Sequence, residues 1–231
     1  MSVFVIGDLH LSLDAEKSMD VFAGWENYVE RLERHWRDTV QAEDTVVLLG
    51  DTSWGMSLPG ALRDFQFLER LPGRKLLVKG NHDYWWTTRA KMEAFFRQNA
   101  LESLSILHNQ AVQVEGMILC GSRGWFSPKG DAHDQKIVLR EAARLEMSLR
   151  DQPALSGERV AFLHYPPVYA DTVLPEIVDV LFRCGVRRCF YGHIHSAGCA
   201  GALNGPFAGI DFRLVSADFL RFCPFKIMNE A

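Results

Sequence analysis

Cysteine is scarce and poorly spaced in this chain of 231 residues: five are present, an odd number, and no two form a Cys-x-x-Cys pair. That excludes a disulfide framework and a thiolate zinc site as the organising principle of the fold. Long apolar runs are missing too. No stretch approaches the ~20 residues that span a bilayer. The opening Met1-Ser-Val-Phe-Val-Ile-Gly has no basic flank and no small-residue cleavage site, so it does not read as a secretory signal. Nor is there an excess of basic residues. Lys and Arg number 25 against 29 Asp and Glu, and the net charge of −4 provides no global field for nucleic acid or anionic lipid. Internal repeats, low-complexity tracts and linkers are not found. These absences point to a cytoplasmic protein without a membrane span, and a hydrophobic content of 48% fits a single globular domain over 1–231.

What recurs is a short apolar run that ends in a polar cluster. Val3-Phe-Val-Ile-Gly leads to Asp8-Leu-His10, Thr45-Val-Val-Leu-Leu-Gly to Asp51, and Lys75-Leu-Leu-Val-Lys-Gly to Asn81-His82-Asp83. Later, Arg159-Val-Ala-Phe-Leu leads to His164, and Arg188-Cys-Phe-Tyr-Gly to His193-Ile-His195. Runs of four or five Val, Leu and Phe residues predict strands buried on both faces. Helical periodicity fills the intervals. Trp25, Tyr28, Val29, Leu32, Trp36 and Val40 share one helical face, and further helices are expected near Pro59–Leu71, Thr88–Asn99, Asp134–Arg150 and Leu174–Cys184. Strands alternating with helices predict an α/β fold. Ser105–Leu107, Ala111–Glu115 and Met117–Gly121 read as strands in hairpin order, joined late in the chain by Ile210–Val215. A second, more antiparallel sheet is their simplest home, giving two mixed sheets packed face to face with helices outside.

In open α/β sheets, ligands bind beyond the carboxyl ends of the strands. Here five strand ends carry Asp, His and Asn, and five of the eight histidines stand there, so one metal site replaces five separate explanations. Oxygen and imidazole donors without thiolate suit Mn, Fe, Zn or Ni.

The series Asp8-x-His10, Gly50-Asp51, Gly80-Asn81-His82-Asp83, His164 and Gly192-His193-x-His195 resembles, in order and in kind, the signature of the calcineurin-like metallophosphoesterases. The resemblance implies a sandwich of α/β/β/α layers and two divalent metal ions, with manganese favoured. It implies Asp8, His10 and His195 on one metal, Asn81, His164 and His193 on the other, and Asp51 between them. A hydroxide held by the metals would be the nucleophile. His82 would steady the phosphoryl oxygens or protonate the leaving group, and Asp83 is expected to orient its imidazole. Many relatives have an acidic or amide residue three positions after the Gly-Asp aspartate, and protein phosphatases an Arg shortly after it; here the run is Gly50-Asp51-Thr-Ser-Trp54-Gly, and the missing Arg counts against a protein phosphatase. The segments Asn81–Trp86 and Cys120–Trp125 are similar to a bacterial and archaeal branch of predicted phosphohydrolases. Arg123, Trp54, Trp86 and Trp125 are candidate substrate contacts, for clamping a phosphate or walling the cleft. The resulting expectation is a hydrolase acting on a small phosphodiester or phosphomonoester. Two alternatives stand beside it: a nuclease, for which no basic track is visible, and a catalytically silent binding module on the same fold.

Overall fold

The computed structural model describes residues 1–15, 17–126, 132–150 and 156–227. In chain order the strands of the first half are β1 (Val3–Ile6), β2 (Thr45–Leu49), β3 (Arg74–Val78), β4 (Leu104–Ile106), β5 (Gln110–Val114) and β6 (Met117–Ser122). Those of the second half are β7 (Glu158–Leu163), β8 (Val168–Tyr169), β9 (Thr172–Val173), β10 (Arg188–Tyr191), β11 (Gly205–Phe207), β12 (Ile210–Leu214) and β13 (Phe225–Ile227). The α-helices are α1 (Tyr28–Thr39), α2 (Leu62–Glu69), α3 (Arg89–Gln98), α4 (Ala132–Arg150) and α5 (Pro175–Arg183). Pro59, with no N–H to lose, opens a single 3-10 turn, Pro59–Ala61, that leads into α2.

The strands form two mixed sheets. One has the order β13-β1-β2-β3-β4 and the other β11-β12-β10-β7-β6-β5; β8 and β9 pair separately as a short ribbon. Alternation along each strand builds the layers. In the first sheet Val3, Val5, Val47, Leu49, Leu76 and Val78 face the seam, where they meet Leu119, Val160, Phe162, Phe190 and Val215 of the second sheet and its flank. Phe4, Ile6, Val46, Leu48 and Leu77 face outward under Tyr28, Leu32 and Trp36 of α1, Phe65 and Leu68 of α2, and Met92 and Phe96 of α3. On the far side, Leu145 and Leu149 of α4 and Ile177 and Leu181 of α5 cover Cys120, Ala161, Leu163, Cys189 and Tyr191. Each fully buried Leu, Ile or Phe contributes about 1.5–3 kcal/mol, so the three apolar layers supply the drive for the sandwich. Among the described residues no helix is long and apolar enough to cross a membrane.

The middle of the chain departs from the expected hairpin order. The strand expected at Ser105–Leu107 appears as β4 and lies parallel to β3 at the edge of the first sheet, because α3 intervenes and returns the chain in the same direction. The second sheet is also less antiparallel than expected. Its four central strands β12, β10, β7 and β6 run parallel, and only the edges β5 and β11 are reversed. The turn after β4 therefore carries the chain from one sheet to the other. Leu107 N donates to Leu77 O of the first sheet at 2.8 Å, and two residues later Asn109 N donates to Gly121 O of the second at 2.6 Å.

The chain is tightly packed at that crossing. A Cβ on Gly121 would fall on the carbonyl oxygen of Leu107, with Val78 Cγ2 2.9 Å away. Neither neighbour has room to yield. Gly121→Ala is expected to lower stability by about 1–3 kcal/mol through overpacking, read as a drop in the urea midpoint.

Candidate metal centre

The carboxyl ends of β1, β2 and β3 in one sheet and of β7 and β10 in the other converge, and the expected residues converge with them. Asp8, His10 and His195 present one donor atom each, all within 4.8 Å of one another, and Asp51, His164 and His193 form a second such group. Asp51 Oδ2 lies 3.8 Å from His10 Nε2 and 3.6 Å from His164 Nε2, so one oxygen faces both groups. Asn81 Oδ1 is 2.7 Å from His164 Nε2. Asp8, His10, Asp51 and His164 are all buried.

Local backbone geometry makes this convergence possible. Asp8, His10, Asp51 and His193 all have left-handed backbones, with φ of 58°, 46°, 48° and 72°. For residues bearing a Cβ, each such position costs about 1–3 kcal/mol and persists only where surrounding structure dictates it. The strand-end glycines do more than allow a turn. A Cβ on Gly80 would fall on Asp51 Oδ1, and one on Gly192 on Asp8 Oδ2. The carboxylates occupy the space that those glycines leave.

Hydrogen bonds then fix the side chains. His193 N donates to both oxygens of Asp8 at 3.0 Å, and His82 N to Asp51 Oδ1 at 2.7 Å, leaving Asp51 Oδ2 for the imidazoles. His164 Nδ1 donates to Leu49 O at 3.1 Å, which turns Nε2 toward Asp51. His195 Nδ1 meets Asp218 Oδ1 at 2.9 Å, and Asp218 Oδ2 accepts from Ser196 N at 2.9 Å. The Tyr28 hydroxyl donates to His10 O at 3.0 Å, holding that loop against α1.

The electrostatics are those of a site built around positive charge. Burial pushes the Asp8 carboxyl up, but His195, His164 and His10 outweigh it and hold it below the ordinary carboxylate range. Burial lowers His10 to about 3 and His193 to about 4, so both are neutral at pH 7 with a lone pair to offer. His195 goes the other way. Burial opposes its charge, but the Asp218 hydrogen bond and the Asp8 carboxylate push it up to about 10. Its Nε2 lies 3.6 Å from Asp8 Oδ1, where a cation between the two donors would be stabilised. Among the described residues, the buried nitrogens His10 Nδ1 and His195 Nε2 have no hydrogen-bond partner. Orphaned imidazole nitrogens, buried carboxylates, an amide oxygen and no thiolate form a donor set that fits divalent cations.

Asp83 departs from its expected role. Its carboxylate is buried and turned away from the His82 ring. It accepts from Asp51 N at 3.0 Å, Thr52 N at 2.8 Å, Gly80 N at 2.7 Å and Trp85 Nε1 at 3.0 Å. Burial and the charge of Asp51 push it up to about 6. It ties the loops after β2 and β3 together, while the His82 ring meets the Tyr84 hydroxyl instead.

The candidate substrate contacts divide. Trp54 stacks on His10 with ring centroids 4.8 Å apart and lies 4.6 Å from the His82 ring, and the Lys17 ammonium sits over its indole. Arg123 lies over Trp125, which packs on Tyr165, and Tyr165 in turn is 4.4 Å from the His193 ring. Trp86 leans on Trp85 and His108. The sequence reading missed Asp218 as the brace of His195 and Lys17 as the cation on Trp54. Asp218 ends a strand-and-loop segment, as the other site residues do, but nothing local links it to a histidine 23 residues earlier.

The calcineurin-like phosphoesterase family profile matches residues 1–197, most of the chain. The chain belongs to that family. Calcineurin-like phosphoesterases usually bind two divalent metals, and this chain brings two His/Asp clusters together. Among solved structures, a phosphopantetheinyl hydrolase from Mycobacterium tuberculosis shares the fold at 14% identity and a TM-score of 0.59, over 99% of this chain and 96% of its own. A protein of unknown function from Aquifex aeolicus aligns at 16% identity and a TM-score of 0.52, over 97% and 95% of the two chains. The anchor protein of the inner membrane complex of Plasmodium aligns at 11% identity and 0.53, over 94% and 72%. No curated protein is matched by sequence.

Removing the brace on His195 is expected to weaken a cation without removing a donor. Asp218→Asn should lower Mn²⁺ affinity by about 10–100-fold in calorimetric titration, with the stoichiometry unchanged.

Proposed function

We propose that the chain is a two-metal phosphohydrolase acting on a small phosphodiester or phosphomonoester. The observation that carries this reading is the shared oxygen: Asp51 Oδ2 faces both donor groups, at 3.8 Å from His10 and 3.6 Å from His164. In this reading Asp8, His10 and His195 hold one ion, Asn81, His164 and His193 the other, and Asp51 lies between them; manganese is favoured. Two divalent ions there would acidify water near neutral pH and offset charge on both sides of an in-line displacement at phosphorus. The chain's own residues do the rest. The His82 amide fixes the Asp51 carboxylate from behind, and Asp83 fixes the Asp51 amide. Burial, and next the charge of Lys17, hold the His82 imidazole below its ordinary pKa, so at pH 7 it is neutral and carries one N–H to offer a phosphoryl oxygen or a leaving group. Trp54 walls the cleft beside His10 and His82 and excludes water from that side. Arg123, on the Trp125 and Tyr165 side, is the candidate clamp for a substrate anion.

A solved relative named as a phosphopantetheinyl hydrolase is in keeping with a small phosphate-bearing substrate, and the net charge of −4 disfavours a nucleic-acid polymer. The reading is tested on protein stripped of metal and then given Mn²⁺, with initial rates on bis(p-nitrophenyl) phosphate beside p-nitrophenyl phosphate. Turnover is expected only with metal, and the faster substrate assigns the ester class. Asp51→Asn should abolish the metal-supported rate; an Asn variant as fast as the parent would sink the role given to that carboxylate. His82→Ala should lower kcat by about 10²–10⁴-fold while both ions stay bound.

A further inference from the structure

His82 lies at the cleft edge outside the two donor groups, and one of its ring nitrogens meets another side chain. The Tyr84 hydroxyl lies 3.1 Å from His82 Nδ1, and the two rings stand edge to face, 5.8 Å apart at 74°. The contact is built into the backbone. Tyr84 N donates to His82 O at 2.8 Å, so a tight turn folds the phenol back over the imidazole two residues earlier. The neighbouring acid is committed elsewhere: each oxygen of Asp83 accepts two N–H donors, from Thr52 and Trp85 on one side and from Asp51 and Gly80 on the other. Asp51 meets the His82 backbone rather than its ring, and Trp54, 4.6 Å across from it, offers the ring no acceptor. Among the described residues no carboxylate is hydrogen-bonded to this imidazole.

We propose that Tyr84 is the positioning residue of His82: its O–H donates to Nδ1 and fixes the tautomer that carries the proton on Nε2. A neutral imidazole has one donor and one acceptor nitrogen, and the partner on one decides the role of the other. A phenol is the better donor of this pair and an imidazole nitrogen the better acceptor, which sets the direction of the bond. With Nδ1 engaged, one ring orientation is favoured, and the N–H is left on the nitrogen free to meet a substrate oxygen. A carboxylate on Nδ1 would select the opposite tautomer, since it can only accept an N–H from that nitrogen, and it would add a negative charge beside the site of a phosphate anion. A neutral phenol orients the ring without that repulsion. What Nε2 meets rests on the phosphohydrolase reading; the Tyr84–His82 bond does not.

The experiment has two arms. The first is nitrogen NMR on metal-free protein labelled at histidine. The parent should show His82 Nδ1 as an unprotonated acceptor and Nε2 as protonated, and Tyr84→Phe should move both toward the average of a tautomer mixture. A tautomer unchanged in Tyr84→Phe overturns the proposal. The second is a double-mutant cycle on the Mn²⁺-loaded enzyme. Tyr84→Phe should lower kcat about tenfold, the size seen when a partner that orients a functional imidazole is lost, with KM and metal content unchanged. In a His82→Ala background it should have no further effect. An equal loss in both backgrounds, or a change in KM alone, would mean that the phenol acts on something other than His82. If no form of the protein hydrolyses phosphate esters, that failure falls on the phosphohydrolase reading, and the NMR arm decides the role of Tyr84 by itself.

Discussion

Two carboxylates with almost no exposed surface, Asp8 and Asp51, face one imidazole, His164, at 3.7 and 3.6 Å. Taking a carboxylate out of water costs several kcal/mol unless it is paired and hydrogen-bonded, so two side by side constrain everything near them. The chain meets the constraint with donors from separate strand ends, the His193 amide on Asp8 and the His82 amide on Asp51, while the His10, His164 and His195 imidazoles stand 3.6–3.8 Å away. None of these donors is local to the carboxylate it serves. The sandwich has to close before either charge is tolerable, and the apolar seam of Val5, Val47, Leu76, Phe162 and Phe190 closes it.

The left-handed backbone at Asp51 shows how structure and chemistry share the same atoms. Thermodynamically the conformation is unfavourable for a residue with a Cβ. Asp83 holds it in place by accepting the Asp51, Thr52 and Gly80 amides, which ties the ends of two neighbouring parallel strands into one loop cluster. The strained turn in turn aims the carboxylate into the gap left by Gly80. A residue read from sequence as an orienting acid thus works one step further back, on the backbone of the acid that matters most.

How much of this was legible in the sequence depended on the range of the interactions. An apolar run ending in Asp, His or Asn is a local signal, so the five strand ends and their donors could be named before any coordinates. That the strands would be buried on both faces followed from the same runs. Sheet membership was not local. Three short strands in a row look like a meander, and only the intervening α3 turns the first of them parallel to β3 and into the other sheet. The partner of His82 was hidden for a finer reason. Asp83 and Tyr84 lie one and two residues on, and which of them folds back depends on the sharpness of a single turn. Asp218 reaches His195 across the fold, a pairing with no trace in spacing or composition.

The two donor groups are divided between the sheets in a particular way. Asp8 and His10 follow β1 while His195 follows β10, and Asp51 follows β2 while His164 and His193 follow β7 and β10. Each group draws from both halves of the chain, so neither half carries a complete donor group. A chain severed near residue 110 would leave two pieces with incomplete donor sets, and only their reassembly would restore either one. The complete donor set is therefore a property of the assembled molecule, and closing the sandwich is what brings it together.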